Sequence, residues 1–282
     1  MNKIAISSDS TLDLSKELLE KYHIHVMPLH VLLGDKEYKD GVDINPNDIF
    51  NYVRETNTLP KTSACTQFEY SDFFKKLLEE YDSVIHFNIS SKCSSTHNDA
   101  RLAALEFDGK VRVIDSLNLS TGQGLLVLKA CDYLNEGLNL EEIINNINSL
   151  LDKVQTSFVV DTTDYLYKGG RCSAAALVAT KLLLIHPAIE MKNGTLGVKK
   201  KYRGNLKKCI ENYVKDLASE FSSYDDTRVF ITHSSCDDDI VSAINDIVKE
   251  HFKFKEVLTT VAGSVVTSHC GKGTLGVLFI TK

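Results

Sequence analysis

The sequence predicts an α/β fold in two parts: an N-terminal Rossmann-like parallel α/β domain over residues 1–155, then a C-terminal α+β domain with a mixed sheet over 156–282. Three observations carry this. In the first half, short apolar runs alternate with segments of helical period, the pattern of a mostly parallel sheet covered on both faces. After about Val154 the rhythm changes and a hairpin signal enters. Four strand-to-loop junctions of the first half are rich in hydroxyls, and open α/β sheets hold ligands at such junctions.

In order, "KIAIS" reads as a strand, "DLSKELLEKY" as a helix and "IHVMPLHVLL" as a second strand. "YKDGVDIN" is turn-rich. "NPNDIFNYVRET" is a helix with Asn45 as N-cap and Pro46 at its first position. "TQFEYSDFFKKLLEEY" is another, opened by a Thr66/Glu69 capping box. The strand "SVIHFNI" runs into "SSKCSST", a helix follows to Phe107, and "KVRVIDS" is the next strand. "GLLVLKACDYLNEG" and "NLEEIINNINSLLDKV" close the first half as helices.

The second half opens with the strand "TSFVVDT" and a small-residue helix, "CSAAALVATKLLL". Asn193-Gly194 lies between two extended runs and signals a hairpin. "NLKKCIENYVKDLASEF" is a long helix. The strand "TRVFITH", the helix "DDDIVSAINDIVKEHF" and the strands "EVLTTV" and "GTLGVLFITK" complete the chain, with the glycines of "SHCGKG" read either as a tight turn into the last strand or as a close backbone approach to a ligand or neighbour.

Composition narrows the function. At 43% hydrophobic and 25% charged, the 282 residues are ordinary for a globular protein. A net charge of −6, with "GVKKKYRGNLKK" the one basic concentration, argues against a nucleic-acid partner. No run is long enough to span a membrane, and the start lacks the apolar core of a signal peptide. Seven scattered cysteines without a CxxC pair fit reduced thiols in a cytoplasm.

The usual catalytic signatures are missing. There is no G-x-S-x-G elbow, no phosphate loop, and "TGQG" lacks the third glycine of a dinucleotide fingerprint. "CDDDI" is better read as the acidic first turn of a helix than as a metal site. No cofactor is expected. The hydroxyl-rich junctions "SSDSTLDL", "KTSACT", "SSKCSST" and "DSLNLSTGQG" each fit helix caps taken singly, but four together raise the case for a binding site.

Five pieces in order resemble the DegV family of bacterial fatty-acid-binding proteins. "DSTLDL" is similar to D-S-x-x-D-L, "KTSACT" to T-S-x-P-[ST], "SSKCSST" to S-S-x-L-S-G-T, "KGGR" to L-x-K-G-G-R-I, and "SHCGKGTLG" to G-x-H-x-G-P-G-x-x-G. The resemblance implies two domains with a long-chain fatty acid buried between them. Its carboxylate would be held by Thr62 and Ser94, with His269 and Arg203 supporting the head-group site. It also implies a carrier rather than an enzyme, one that presents the lipid to a fatty acid kinase for phospholipid synthesis. The expected partners are therefore a long-chain fatty acid, a fatty acid kinase and transiently a membrane. Cys65, Cys93, Ser95 and Lys272 depart from the family pattern, as does His186 where lysine is common. Two other readings stay open: a serine- or cysteine-dependent acyl hydrolase or acyltransferase using Ser94 or Cys93 with His269, and a docking module.

Overall fold

The computed structural model describes residues 3–172 and 184–282. The small-residue helix expected over 172–184 therefore lies, apart from its two end residues, outside the described residues.

The chain begins with β1 (Ile4–Asp9), α1 (Lys16–Lys21) and β2 (His25–Met27). The expected long second strand then breaks at Pro28, which has no N–H to continue a ladder. Its second part, β3 (His30–Leu33), belongs to a different sheet and pairs antiparallel with β4 (Lys36–Lys39) and, beyond α2 (Pro46–Thr56), with β5 (Lys61–Ser63). This small three-stranded sheet was not foreseen. α3 (Gln67–Leu77), β6 (Ser83–Asn88), α4 (Thr96–Ala104) and β7 (Val111–Asp115) follow. The parallel sheet runs β2-β1-β6-β7, with β1 and β6 buried on both faces. The start signals hold: Asn45 and Asp48 close a capping box on α2, and Thr66 and Glu69 close one on α3.

Next come α5 (Thr121–Asn135) and α6 (Leu140–Asn148). The second half contains β8 (Val154–Gln155), β9 (Ser157–Val159), α7 (Asp164–Lys168), β10 (Ile185–Lys192), β11 (Thr195–Arg203) and α8 (Leu206–Glu220). It ends with β12 (Arg228–Ser234), α9 (Asp238–His251), β13 (Glu256–Val261), α10 (Ser264–Cys270) and β14 (Thr274–Ile280). The mixed sheet is ordered β11-β10-β9-β14-β12-β13, with β8 also on β14; only β12 and β13 pair in parallel. α8 and α9 cover a core that includes Val229, Ile231, Val277 and Phe279. Asn193 and Gly194 make the β10–β11 turn with φ of 50° and 78°, as a two-residue hairpin requires. Among the described residues no helix is long and apolar enough to cross a membrane.

α5 joins the two large sheets. Its leucines share one core with Ile4, Ile6 and Phe87 of the parallel sheet and with Phe230, Leu278 and Ile280 of the mixed sheet. Hydrogen bonds fix it at both ends: Thr121 Oγ1 lies 2.6 Å from Thr232 Oγ1, and Arg228 donates to Asp132 Oδ2 at 2.7 Å. The "TGQG" segment opens this helix. A side chain at Gly124 would meet the Leu12 carbonyl at 2.8 Å, so the glycine serves close packing.

α10, read from sequence as part of a turn, is a helix held from the other end of the chain. Asp13 Oδ1 accepts from Gly263 N at 2.8 Å, and Asp40 Oδ1 accepts from Ser264 N at 2.8 Å. Ser120 and Ser10 donate to the second oxygens of these carboxylates. Burial pushes Asp13 up to about 8 and moves Asp40 in the same direction.

Asp13 therefore keeps a proton in the folded state that the unfolded chain releases near its ordinary value of 3.8. Folding stability should fall as pH rises from 3.8 toward about 8. Urea unfolding followed across that window should show the decline, and Asp13→Asn should flatten it. An equal slope in the variant would remove Asp13 as the source.

Candidate functional site

A cavity of 260 Å³ opens where β5, the loop after β6, α7 and α10 meet. Its inner wall is apolar, with Leu29, Ile89, Leu119, Leu166, Val265 and Val266, while Thr62, Ser94, His269 and Arg171 supply polar groups.

Each polar group is placed by a separate element. Thr62 sits on β5, whose pairing with β3 sets its direction. Its Oγ1 is 2.8 Å from His269 Nε2. His269 is the one residue of α10 that is not fully buried, and its Nδ1 has no hydrogen-bond partner. That nitrogen lies against Gly169, where an added Cβ would stand 2.5 Å away. Burial, followed by the Arg171 charge, lowers the imidazole to about 4, so the ring is neutral near pH 7.

Ser94 lies in the turn between β6 and α4. Its backbone N–H donates to the Ser90 carbonyl, and its Oγ accepts from Thr96 N at 3.3 Å, which makes it a cap of α4. Ser95, next in the chain, makes no side-chain cap bond. A buried relay stands behind the turn: Thr96 Oγ1 is 2.7 Å from the Tyr70 hydroxyl, and Asn88 Nδ2 donates to Tyr70 and to Asp9 Oδ2. The β10–β11 hairpin closes over it, with the Ser90 hydroxyl donating to the Gly194 carbonyl at 2.7 Å and Lys92 to the Asn193 carbonyl.

Thr62, Ser94 and His269, far apart in sequence, thus border one cavity. Arg203 does not: it is exposed at the end of β11 and absent from the cavity wall. Among the described residues the cation at the cavity is Arg171, which donates to the carbonyls of Gly169 and Cys93 at 2.6 and 3.3 Å. Arg171 is the arginine of the "KGGR" piece. Val265 and Val266 were missed because nothing local announces α10. Cys93 also lines the cavity, its thiol pushed up by burial. "CDDDI" does start a helix, and Asp239 there pairs with Lys207.

The family model described as an uncharacterised protein of the DegV family matches residues 3–282. A DegV domain-containing protein of Clostridium acetobutylicum is 37% identical over 284 residues, covering all of both chains. Among solved structures, a fatty-acid-binding DegV family protein from Thermus thermophilus superposes with a TM-score of 0.92 at 32% identity, over 99% of this chain and 100% of that one. A stearic-acid-binding protein from Eubacterium ventriosum gives 0.86 at 29% identity, over 100% and 99%.

The neutral state of His269 is measurable. An NMR titration should give its imidazole a midpoint of about 4, and the stability that the neutral ring contributes should be lost as pH falls from 6.5 through that value. Gly169→Ala should drive the ring away from Thr62 and shift its resonances; an unmoved spectrum would contradict the close contact.

Proposed function

Because the chain belongs to the DegV family, we propose that it binds a long-chain fatty acid in this cavity, between an N-terminal unit of residues 1–155 and a C-terminal unit of 156–282. The observation that carries the reading is the convergence of Thr62, Ser94 and His269 on an apolar cavity. A carboxylate only accepts hydrogen bonds, so hydroxyls and a cation satisfy it without a reactive group. In this reading the neutral His269 carries its proton on Nε2, the nitrogen 2.8 Å from Thr62 Oγ1, and donates it to that hydroxyl. The Thr62 hydroxyl proton is then free for the carboxylate. Ser94 donates from the other side, at the positive end of α4, and Arg171 supplies the countercharge. Burial of the chain contributes roughly 0.8 kcal/mol per CH₂, on the order of 10 kcal/mol for a long acyl chain before the cost of association.

The protein acts as a carrier in this reading. It presents the carboxylate, at the polar end of the cavity, to a fatty acid kinase, and it meets a membrane transiently to load. Seven scattered cysteines without a CxxC pair fit a reducing cytoplasm. The carrier reading is favoured over an acyl hydrolase because His269 pairs with Thr62, not with Ser94 or Cys93, and has no carboxylate at Nδ1 among the described residues.

Native mass spectrometry of the purified protein should find one fatty acid per chain; protein that stays lipid-free after incubation with several fatty acids would refute the proposal. Thr62→Val and Ser94→Ala should each weaken binding by about 1–3 kcal/mol. Turnover of acyl esters that vanishes in Ser94→Ala or Cys93→Ala would instead support the hydrolase.

A further inference from the structure

The three-stranded sheet carries a second cluster of chemistry that the lipid site does not use. His30 of β3 is buried, with its Nε2 2.9 Å from Glu69 Oε1 in the first turn of α3. On the far side of the ring, Nδ1 is 2.8 Å from Glu37 Oε1 of β4, within ion-pair distance though not aligned as a hydrogen bond. Cys65, two residues beyond β5, is fully buried beside them, its thiol 3.2 Å from the Pro28 carbonyl. One donor atom from each of His30, Cys65 and Glu69 falls within 4.8 Å of the other two.

We propose that His30, Cys65 and Glu69 form a binding site for Zn²⁺. Ligand atoms around a tetrahedral zinc stand about 3.5 Å apart when the bonds are about 2.0–2.3 Å, which a small adjustment of these three side chains reaches. Imidazole, thiolate and carboxylate together suit zinc, whereas Mg²⁺ and Ca²⁺ take oxygen ligands.

The surroundings fit as well. The other oxygen of Glu69 accepts from Thr66 N and Thr66 Oγ1, both at 2.8 Å, which fixes the carboxylate with Oε1 turned toward His30. Glu37 stands where the outer carboxylate of a metal-bound histidine stands. Lys39, at the end of β4, is the nearby opposing charge. Without metal, His30 lies between two carboxylates and Cys65 is a small core thiol. With metal, Zn²⁺ replaces the Cys65 thiol proton, a Zn–S bond forms, and the proton leaves to solvent. The bound ion would tie together β3, the segment just after β5 and α3, three residues along the chain from Thr62.

The test is titration of chelator-treated full-length protein with Zn²⁺ and, separately, Co²⁺. One equivalent of either should bind, the cobalt form showing a thiolate-to-metal charge-transfer band. Cys65→Ser should lose the band and Cys93→Ser should keep it. His30→Gln should weaken Zn²⁺ binding at least a hundredfold, and Glu37→Gln by about tenfold. Since Cys65 is a core position, His30→Gln decides the matter if Cys65→Ser does not fold. No stoichiometric uptake, cobalt uptake without the band, or affinity unchanged in His30→Gln would overturn the proposal. None of these outcomes depends on fatty acid binding.

Discussion

The two carboxylates at the start of α10 set the terms for the cavity. Asp13 and Asp40 come from the first forty residues and take the N–H groups of Gly263 and Ser264, more than two hundred residues away. α10 then delivers Val265, Val266, His269 and Cys270 to one cavity wall. Without that grip the helix has seven residues and little reason of its own to form. Buried carboxylates are costly unless hydrogen-bonded; Ser10, Ser120 and two backbone amides offset part of that cost, and burial still pushes both groups up, Asp13 to about 8.

The opposite wall is held by a different device. Asp9 accepts from Ile89 N and Asn88 Nδ2 through one oxygen, and from Thr11 and Gln123 through the other. Asn88 passes the connection through Tyr70 to Thr96, the first residue of α4. This buried network, in which Asn88 Oδ1 alone of these side-chain atoms has no partner among the described residues, ties the turn carrying Ser94 to the parallel sheet. Ser95, whose side chain is less permissive than glycine, sits in a right-handed helical conformation there and needs no left-handed one.

What the sequence disclosed follows from the range of each interaction. The N-cap at Asn45, the capping box at Thr66 and the turn at Asn193-Gly194 were legible because partners lie within four residues. The alternation giving the parallel sheet was legible because burial on both faces leaves a continuous apolar run. The division of "IHVMPLHVLL" into β2 and β3 was not, since both pieces are apolar and only the pairing partners differ. α10 was missed because its first hydrogen bonds come from Asp13 and Asp40. At the site, Thr62, Ser94 and His269 came from motif resemblance. Arg171 and Arg203 both follow plausible motifs, and only the fold decides that Arg171 reaches the cavity.

α5 has a consequence for how the molecule comes apart. A helix that shares its core with both large sheets, and is pinned by Thr232 at one end and Arg228 at the other, has no half to which it alone belongs. Melting either sheet strips α5 of half its packing. Shared packing of this kind couples the two sheets: amide protons in α5 should exchange only when both sheets open, and the sheets should melt together.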